Sequence, residues 1–290
     1  MTLTPTRTVL EAAASAGTAV GAFNVLHLET AEALVGAAED TGLPVILQLS
    51  ENCVRYHGAF EPIARATLAV AEASSASVAV HLDHAEDIEL ALLAIDRGFG
   101  SVMYDGAKLD FADNVATTRR VVARAAGPGV LVEAELGEIG GKDGAHAPGV
   151  RTDPAEAALF VAETGVDALA VAVGSSHAMT ERVAALDLEL IARLHAAVPV
   201  PLVLHGSSGV PDATIVAGIA AGLTKINVST HLNAAFTGAI RGYLAEHPTA
   251  VDSRKYFAAG RDAVRIEAGR MLRLFASPVT AGTTGKDGIG

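Results

Sequence analysis

The sequence has 290 residues, half of them hydrophobic, and a formal net charge of −12 at pH 7. A chain this acidic is a poor partner for nucleic acid or for an anionic membrane, and it is long enough to bury a large core in one domain or two. Cys53 is the only cysteine, which excludes an internal disulfide and fits a reducing compartment such as the cytoplasm, and Glu11 interrupts what would otherwise resemble a signal-peptide core.

Eight short runs rich in β-branched residues recur along the chain, and helical patterns separate them. The runs are 19–25, 44–50, 77–84, 101–106, 130–137, 168–174, 201–206 and 225–230. Apolar strands that alternate with helices predict an α/β fold with a parallel sheet buried on both faces. Eight such units favour a single (β/α)₈ TIM barrel, with a doubly wound open sheet as the alternative. A further C-terminal helix is predicted over 254–275, so residues 1–276 are expected to form one barrel domain and 277–290 a mobile Gly/Thr-rich tail.

Polar side chains interrupt these apolar runs at or just after their carboxyl ends. They are Asn24, Ser50, Asp83, His84, Asp105, Glu133, Glu135, His177, His205 and Asn227. A barrel gathers the carboxyl ends of all its strands around one mouth, where barrel enzymes carry their active sites. Because random scatter would not favour one end of every strand, the sequence predicts a single site at that mouth.

The third run, SVAVHLDHAED at 77–87, is the most informative stretch of the chain. Adjacent residues of a strand point to opposite faces, so Asp83 and His84 are expected to share a pocket only if the strand gives way to a loop there. His81, two residues before Asp83, is a further candidate near the site. The alternative is structural, with Asp83 as a helix cap and His84 as an ordinary end-of-strand residue.

Three histidines, His84, His177 and His205, follow the third, sixth and seventh runs. Imidazoles that converge from three strands suit a catalytic divalent metal with open coordination positions. Glu135, after the fifth run, is an alternative ligand or a partner of a ligand. A single histidine is more often structural, but the shared position of these three favours a metal site.

The loops after the last two runs are rich in glycine and hydroxyl groups, as HGSSG at 205–209 and NVST at 227–230. In barrels these loops often bind phosphate through backbone N–H groups and hydroxyls, here those of Ser207, Ser208, Ser229 and Thr230. Ordinary turns and a helix cap would use the same residue types. The glycine-rich segment 137–153 either closes over a substrate or is an exposed connection.

Five motifs in this order resemble the class II, metal-dependent ketose-bisphosphate aldolases, a family that includes fructose- and tagatose-bisphosphate aldolases. The motifs are HLDH, VEAELGEIGG, VAVGSSH, PLVLHGSSG and KINVST, and the resemblance extends from AFN at 22–24 to DSR at 252–254. It implies a (β/α)₈ barrel that binds one catalytic Zn²⁺ through His84, His177 and His205, with Glu135 able to contact the metal. It also implies that Asp83 is the catalytic acid/base.

The same resemblance implies roles for the remaining site residues. Substrate and phosphate contacts fall on Gly206, Ser208, Asn227, Val228, Ser229 and Thr230, and residues near the other end of the ketose are Asn24 and Ser50. Arg254 matches an arginine that reaches the second phosphate in a neighbouring subunit. A homo-oligomer, either a dimer or a tetramer, is therefore expected.

Two positions depart from the family pattern. Ala178 stands where the family usually has glycine, at a backbone contact with substrate that often accompanies a monovalent-cation site for Na⁺ or K⁺. GGKDG at 140–144 replaces the family's GGEED or GGxED, which leaves Asp143 as the acid expected to handle the proton at the enediolate carbon, with Glu138 or a water as the alternatives.

The expected reaction is the reversible retro-aldol cleavage of a phosphorylated ketose, such as fructose 1,6-bisphosphate, to dihydroxyacetone phosphate and an aldehyde. A lysine Schiff base is disfavoured because the fifth to seventh runs contain no lysine and Lys225 begins the eighth. Lys108 and Lys142 lie in predicted loops and keep that route open. The alternatives from other classes are a zinc hydrolase and a non-catalytic barrel that binds phosphosugars.

Overall fold

The computed structural model describes residues 3–136, 151–176 and 179–277. In that part of the chain eight parallel strands pair in sequence order, and the last pairs with the first, so the sheet closes on itself. The strands are β1 (Val20–Asn24), β2 (Val45–Ser50), β3 (Val78–Ala85), β4 (Ser101–Tyr104), β5 (Leu131–Leu136), β6 (Ala168–Val171), β7 (Leu202–Leu204) and β8 (Leu223–Val228). The predicted (β/α)₈ barrel is confirmed, and the open-sheet alternative is wrong.

Helices alternate with the strands and cover the outside of the barrel. They are α1 (Thr6–Ala16), α2 (Leu28–Thr41), α3 (Glu51–His57), α4 (Phe60–Ala73), α5 (Ile88–Asp96), α6 (Phe111–Ala126), α7 (Pro154–Thr164), α8 (Leu188–Ala197), α9 (Asp212–Ala221), α10 (Thr230–Glu246) and α11 (Ser253–Phe275). Aspartate side chains accept backbone N–H bonds at the starts of α5, α6, α7 and α8, which explains where these helices begin. Within the described residues, none of these helices is both long and apolar enough to span a membrane.

The predicted C-terminal helix is α11, which packs against α2 and α10 on the outside of the barrel. The expected tail falls almost wholly on residues 278–290, which lie outside the described residues. The assignment of 1–276 to one domain stays a prediction.

The interior of the barrel has an apolar lower half and a polar upper half. Because strand side chains alternate, Ala79, His81 and Asp83 of β3 point inward, while Val78 and Val80 pack outward against the helices. The lower layer combines apolar residues of the strands and of α1, namely Val9, Leu10, Ala13, Val20, Ala22, Ile46, Ala79, Met103, Leu131, Ala168, Ala170 and Val203. α1 therefore closes the bottom.

The upper layer consists of buried polar side chains, Gln48, His81, Asp83, Glu133, Glu135, His205, Lys225 and Asn227. Buried polar groups need hydrogen-bond partners, so this half of the interior forms a network rather than an apolar core. It lies at the carboxyl ends of the strands.

Candidate active site

A cavity of about 290 Å³ opens at the carboxyl ends of the strands. Residues singled out in the sequence make up most of its lining: Asn24, Ser50, Asp83, His84, Gly206, Ser207, Ser208, Asn227, Ser229 and Thr230. The remaining lining residues are Leu26, Gln48, Asn52, Cys53 and Tyr56. The polar residues that end β1, β2, β3 and β8, and the loop after β7, thus share one cavity.

The end of β3 has an unusual backbone. His84 has φ of +49°, in the left-handed region that non-glycine residues seldom adopt, and the pairing with β4 shifts register between Leu82 and Ala85. Such a conformation costs about 1–3 kcal/mol and is concentrated at functional sites. It lets the adjacent residues Asp83 and His84 both line the cavity. The change of direction comes from a bulge inside β3, and not from the strand-to-loop junction that the sequence predicts.

Two histidine side chains meet beside the cavity. Nε2 of His84 lies 2.7 Å from Nδ1 of His205. On the far sides of the two rings, His84 Nδ1 lies 2.8 Å from Oδ2 of Asp105, and His205 Nε2 lies 2.9 Å from Oε1 of Glu133. Because ionised carboxylates only accept hydrogen bonds, each ring carries its proton on the nitrogen that faces the carboxylate. The two remaining lone pairs then point toward each other, an arrangement that a shared cation satisfies.

This donor set fits a divalent metal. Imidazole nitrogen and carboxylate oxygen are ligands for zinc, and ligating histidines usually donate their other N–H to a carboxylate. Ligand-type atoms of Asp83, His84 and His205 lie within 4.8 Å of one another. Oε2 of Glu135 lies 3.9 Å from Nδ1 of His205, so a further carboxylate stands close to the histidine pair.

Three side-chain amides hold the carboxylate of Asp83. Nδ2 of Asn227 donates to its Oδ1 at 3.2 Å, and the amide nitrogens of Asn24 and Gln48 donate to its Oδ2 at 3.4 Å. The Asp83 side chain is buried yet lines the cavity. An oriented proton acceptor therefore stands next to the candidate metal ligand His84.

The loop after β7 passes close to the loop after β6. Gly206 has φ of +65°, and a Cβ atom there would lie 2.6 Å from the backbone carbonyl carbon of Ser176. The hydroxyl of Ser207 donates to the carbonyl oxygen of Asn227 and so ties this loop to β8. Only glycine fits this approach at position 206.

The start of α10 borders the same cavity. The N–H group of His231 donates to Oγ of Ser208 at 3.1 Å. Ser229, at the N-cap, makes no side-chain hydrogen bond to the first turn, and both Ser229 and Thr230 line the cavity. Backbone N–H groups at a helix start, together with hydroxyls, form an arrangement that binds phosphate.

Ion pairs fasten these loops to α11. Arg182, which follows β6, lies 2.6 Å from Asp212, and Asp212 lies 2.6 Å from Arg270. Arg270 lies 2.8 Å from Glu267, which lies 2.6 Å from Nε2 of His231. Burial acts to raise the pKa of Asp212, but hydrogen bonds from Arg270 and Arg182 outweigh it and hold that pKa below its ordinary value. The loops after β6, β7 and β8 are thus joined through α11.

The sequence matches the family described as fructose-bisphosphate aldolase class-II over residues 4–279. It is 39% identical over 281 residues to the fructose-bisphosphate aldolase of Geobacillus stearothermophilus, covering 96% of this chain and 98% of that relative. It is 40% identical over 273 residues to a probable fructose-bisphosphate aldolase of Bacillus subtilis (strain 168), covering 93% of this chain and 96% of that relative. The chain belongs to the class II fructose-bisphosphate aldolase family.

Solved structures agree with this family assignment. The YdjI aldolase from Escherichia coli K12 superposes with a TM-score of 0.83 at 32% identity, covering 97% of this chain and 100% of that chain. The fructose-bisphosphate aldolase from Campylobacter jejuni, at 21% identity and a TM-score of 0.79, covers 92% of this chain and 93% of its own and shares the fold. The chain is therefore an aldehyde-lyase rather than a hydrolase or a non-catalytic barrel. Class II aldolases are in general zinc-dependent, which accords with the donor set around His84.

Some site residues predicted for this class II aldolase are not among the described residues that line the cavity. His177, Ala178 and Asp143 fall outside the described residues. His205 and Glu135 are buried beside the cavity, and Val228 is buried within β8. The side chain of Arg254, at the start of α11, is 89% exposed and pairs with Asp252 at 2.9 Å, away from its own chain's cavity.

The aldolase fold brings three residues without a predicted site role into the site's network. Gln48 lies within β2 and donates to Oδ1 of Asn24 at 2.7 Å, besides its bond to Asp83. Glu133 was noted only as a polar strand residue. The sequence predicts that Lys225 begins the eighth strand, whereas β8 begins two residues earlier and Lys225 points into the barrel. The available signal was its spacing of two from Asn227, which puts both on the inner face.

Proposed function

We propose that this aldolase cleaves fructose 1,6-bisphosphate, or a closely related phosphorylated ketose, reversibly into dihydroxyacetone phosphate and an aldehyde. The relatives named as fructose-bisphosphate aldolases support this substrate class. The observation that carries the proposal is one cavity that combines the histidine pair, the oriented Asp83 carboxylate and the hydroxyl-rich loops after β7 and β8.

In this proposal the chain holds one Zn²⁺ per subunit through Nε2 of His84 and Nδ1 of His205, with His177 as the third ligand and Glu135 as the alternative one. When bound, the ion supplies Lewis-acid polarisation of the ketose C2 carbonyl. Asp105 lies 2.8 Å from Nδ1 of His84, and Glu133 lies 2.9 Å from Nε2 of His205. These carboxylates keep both rings in the tautomer that can bind the metal. The role of His177 rests on the resemblance, because that residue lies outside the described residues.

Asp83 acts as the general base in the cleavage direction. It removes the proton of the C4 hydroxyl as the C3–C4 bond breaks, and the C4–O pair becomes the carbonyl of the departing aldehyde. The electron pair of the broken bond stays with the three-carbon fragment, and one proton delivered to C3 completes dihydroxyacetone phosphate. Asp143 is the proposed donor of that proton, and the amides of Asn24, Gln48 and Asn227 keep Asp83 aimed at the cavity.

The loops after β7 and β8 bind the phosphate next to the ketose carbonyl. Gly206, Ser207, Ser208, Asn227, Val228, Ser229 and Thr230 contribute hydroxyls and backbone N–H groups, and Ala178 adds a backbone contact. Asn24 and Ser50, on β1 and β2, contact the part of the ketose that leaves as the aldehyde. A monovalent cation, Na⁺ or K⁺, beside the phosphate and a cytoplasmic location belong to the same proposal and rest on the resemblance.

A homo-oligomer, dimer or tetramer, is also part of the proposal, with Arg254 reaching the second phosphate of a substrate bound in a neighbouring subunit. Its exposed side chain at the start of α11 supports this role. We expect Arg254→Ala to raise KM for a bisphosphate ketose more than for the matching monophosphate. Arg65→Ala removes another exposed arginine that pairs only locally, with Glu61 at 3.0 Å, and is the control. Equal effects on both substrates, or a fully active monomer, would contradict the role of Arg254.

The central test is release of dihydroxyacetone phosphate from fructose 1,6-bisphosphate, tagatose 1,6-bisphosphate and ketose monophosphates. We expect release from at least one bisphosphate, loss of activity with a chelator, and recovery with Zn²⁺. Metal analysis is expected to find about one ion per subunit, reduced in His84→Ala, His177→Ala and His205→Ala. If the zinc-loaded protein releases no dihydroxyacetone phosphate from any of these ketoses, the proposed substrate class is wrong.

A further inference from the structure

A lysine and a glutamate are buried together beside the histidine pair. Lys225 on β8 and Glu133 on β5 are both 0% exposed, and Nζ of Lys225 donates to Oε2 of Glu133 at 2.7 Å. The other oxygen of Glu133, Oε1, lies 2.9 Å from Nε2 of His205. Three groups in contact thus link a buried ammonium to a candidate metal ligand.

Apolar side chains could fill the part of the barrel interior that this ion pair occupies. The neighbours in register on the adjacent strands are Val20 and Val203 for Lys225, and Met103 and Ala168 for Glu133. All four belong to the apolar lower layer of the interior. Replacing a buried ion pair by well-packed apolar residues is often neutral or stabilising. Packing alone therefore gives no reason for Lys225 and Glu133, and their contact with His205 indicates a role in the site.

The hydrogen-bond partners determine which nitrogen of His205 carries the proton. Lys225 has only donors, so Glu133 accepts from it, and the ionised carboxylate then accepts at its second oxygen as well. Nε2 of His205 must be the donor in the 2.9 Å contact with Glu133. The amide nitrogen of Asn227 is also 3.1 Å from this Nε2, and one of its two hydrogen atoms goes to Asp83 at 3.2 Å. The contact of Nε2 with the Glu133 carboxylate is shorter, at 2.9 Å, and a hydrogen bond to a charged acceptor is the stronger of the two, so it decides where the proton lies.

We propose that Lys225 and Glu133 are positioning residues that lock His205 in the tautomer with its proton on Nε2, so that the lone pair of Nδ1 faces the metal site. The inference rests on the proposed metal role of His84 and His205. Lys225 orients the Glu133 carboxylate, Glu133 holds the imidazole ring, and neither side chain lines the cavity.

His81 fixes Lys225 from another side. Its Nε2 lies 3.4 Å from Nζ of Lys225, and its Nδ1 lies 2.8 Å from Oγ of Ser101, which is 2.8 Å from Oγ1 of Thr6 in α1. Burial, and then the charge of Lys225, lower the pKa of His81 well below its ordinary value, so the neutral ring offers Nε2 as an acceptor. Because the Lys225 ammonium is held between His81 and Glu133, its position favours one orientation of the Glu133 carboxylate.

The decisive comparison uses two double variants that remove both charges of the Lys225–Glu133 pair, so that neither is left without its partner. Lys225→Met/Glu133→Gln keeps a hydrogen-bond acceptor for His205, whereas Lys225→Met/Glu133→Leu removes it at similar size. Thr67→Val, which deletes a buried hydroxyl bonded within α4 to the carbonyl oxygen of Ile63, controls for the loss of any buried polar group. Zn²⁺ affinity is measured on metal-free protein with a competing chelator. The visible absorption of the Co²⁺-loaded protein reports the geometry of the ligands.

We expect the Leu double variant to bind Zn²⁺ about 10–100-fold more weakly than the Gln double variant and to show an altered Co²⁺ spectrum, with Thr67→Val unchanged. Equal Zn²⁺ affinities and identical Co²⁺ spectra for the two double variants would overturn the inference, even if both were weaker than the parent. A parent protein that binds neither ion would instead overturn the proposed function.

The single variant Lys225→Met provides a second test of the positioning role if a double variant fails to fold. It keeps the Glu133 carboxylate but removes the donor that orients it, so we expect weaker Zn²⁺ binding, by about 10-fold or more. Parental affinity and a parental Co²⁺ spectrum in this variant would remove Lys225 from the mechanism of positioning.

Discussion

Gly206→Ala tests whether the loop after β7 is as closely packed as the structure indicates. Gly206 has φ of +65°, and an added Cβ would lie 2.6, 2.7 and 2.9 Å from the carbonyl carbon, oxygen and nitrogen of Ser176. These are backbone atoms, so no side-chain rotation relieves the overlap. Gly17, which ends α1 at the opposite end of the barrel, has φ of +64° and no neighbour within 4 Å of its Cβ position, so Gly17→Ala is the matched control.

The two variants differ in overlap and not in backbone conformation. The left-handed conformation costs an alanine about 1–2 kcal/mol at either position. Overlap in a packed region adds about 1–3 kcal/mol, so Gly206→Ala is expected to lose about 2–5 kcal/mol of unfolding free energy. If the loop shifts to relieve part of this overlap, the phosphate-binding groups move with it and KM for the ketose bisphosphate rises.

The assay compares urea unfolding of both metal-free variants with the parent, and KM in the zinc-loaded enzyme. We expect Gly206→Ala to exceed Gly17→Ala in lost stability or in KM, and Gly17→Ala to keep the parental KM. If the two alanine variants matched in both stability and KM, the close approach of Gly206 to Ser176 would be refuted.

Three other predictions follow from the site. Asp83→Asn keeps the shape of the side chain but not the base, so turnover is expected to fall about 10²–10⁴-fold with zinc content unchanged, and near-parental turnover would assign the base elsewhere. Burial raises the pKa of the Cys53 thiol to about 11, so at pH 8 iodoacetamide should alkylate Cys53 far more slowly than it alkylates the thiol of free glutathione. Equal rates of alkylation would contradict the raised pKa. His81 has a pKa well below its ordinary value, so below pH 6.5 the unfolded chain takes up a proton that the folded chain does not. The free energy of unfolding of metal-free protein should therefore fall by up to about 1.4 kcal/mol per pH unit as the pH falls from 6.5. His81→Asn should reduce this slope, and an unchanged slope would show that other groups set it.

The barrel was predictable because its strands are apolar runs with clear ends. Each of the eight predicted runs contains or overlaps the observed strand, since β-branched residues flanked by glycine and proline mark a buried parallel strand without knowledge of its neighbours. The convergence of Asp83, Gly206 and Asn227 on one cavity followed from their shared position at carboxyl ends.

The inner layer of the barrel was not predictable to the same degree. A strand boundary placed two residues too late put Lys225 at an end, whereas the observed register makes it a buried partner of Glu133. The left-handed backbone of His84 was not predictable, because only a few per cent of non-glycine residues adopt this conformation and nothing in the sequence marks which of the ten histidines does so. Gln48 was not predicted as a site residue, because its role depends on hydrogen bonds to side chains of two other strands. The roles of His177, Ala178 and Asp143 stay predictions, since those residues lie outside the described residues.

The described residues that line the cavity include neither lysine nor arginine, and the whole chain carries a net charge of −12. The attraction of N–H and O–H dipoles for phosphate acts only near contact, whereas the field of the net charge extends over a Debye length, about 10 Å at 0.1 M salt. The metal-free single chain therefore repels an anionic ketose during its approach, and only the proposed Zn²⁺ and the proposed Arg254 of a neighbouring subunit would oppose that repulsion. Added salt screens the repulsion and should accelerate association with metal-free protein, the reverse of the behaviour of an enzyme whose basic residues steer phosphates toward its active site.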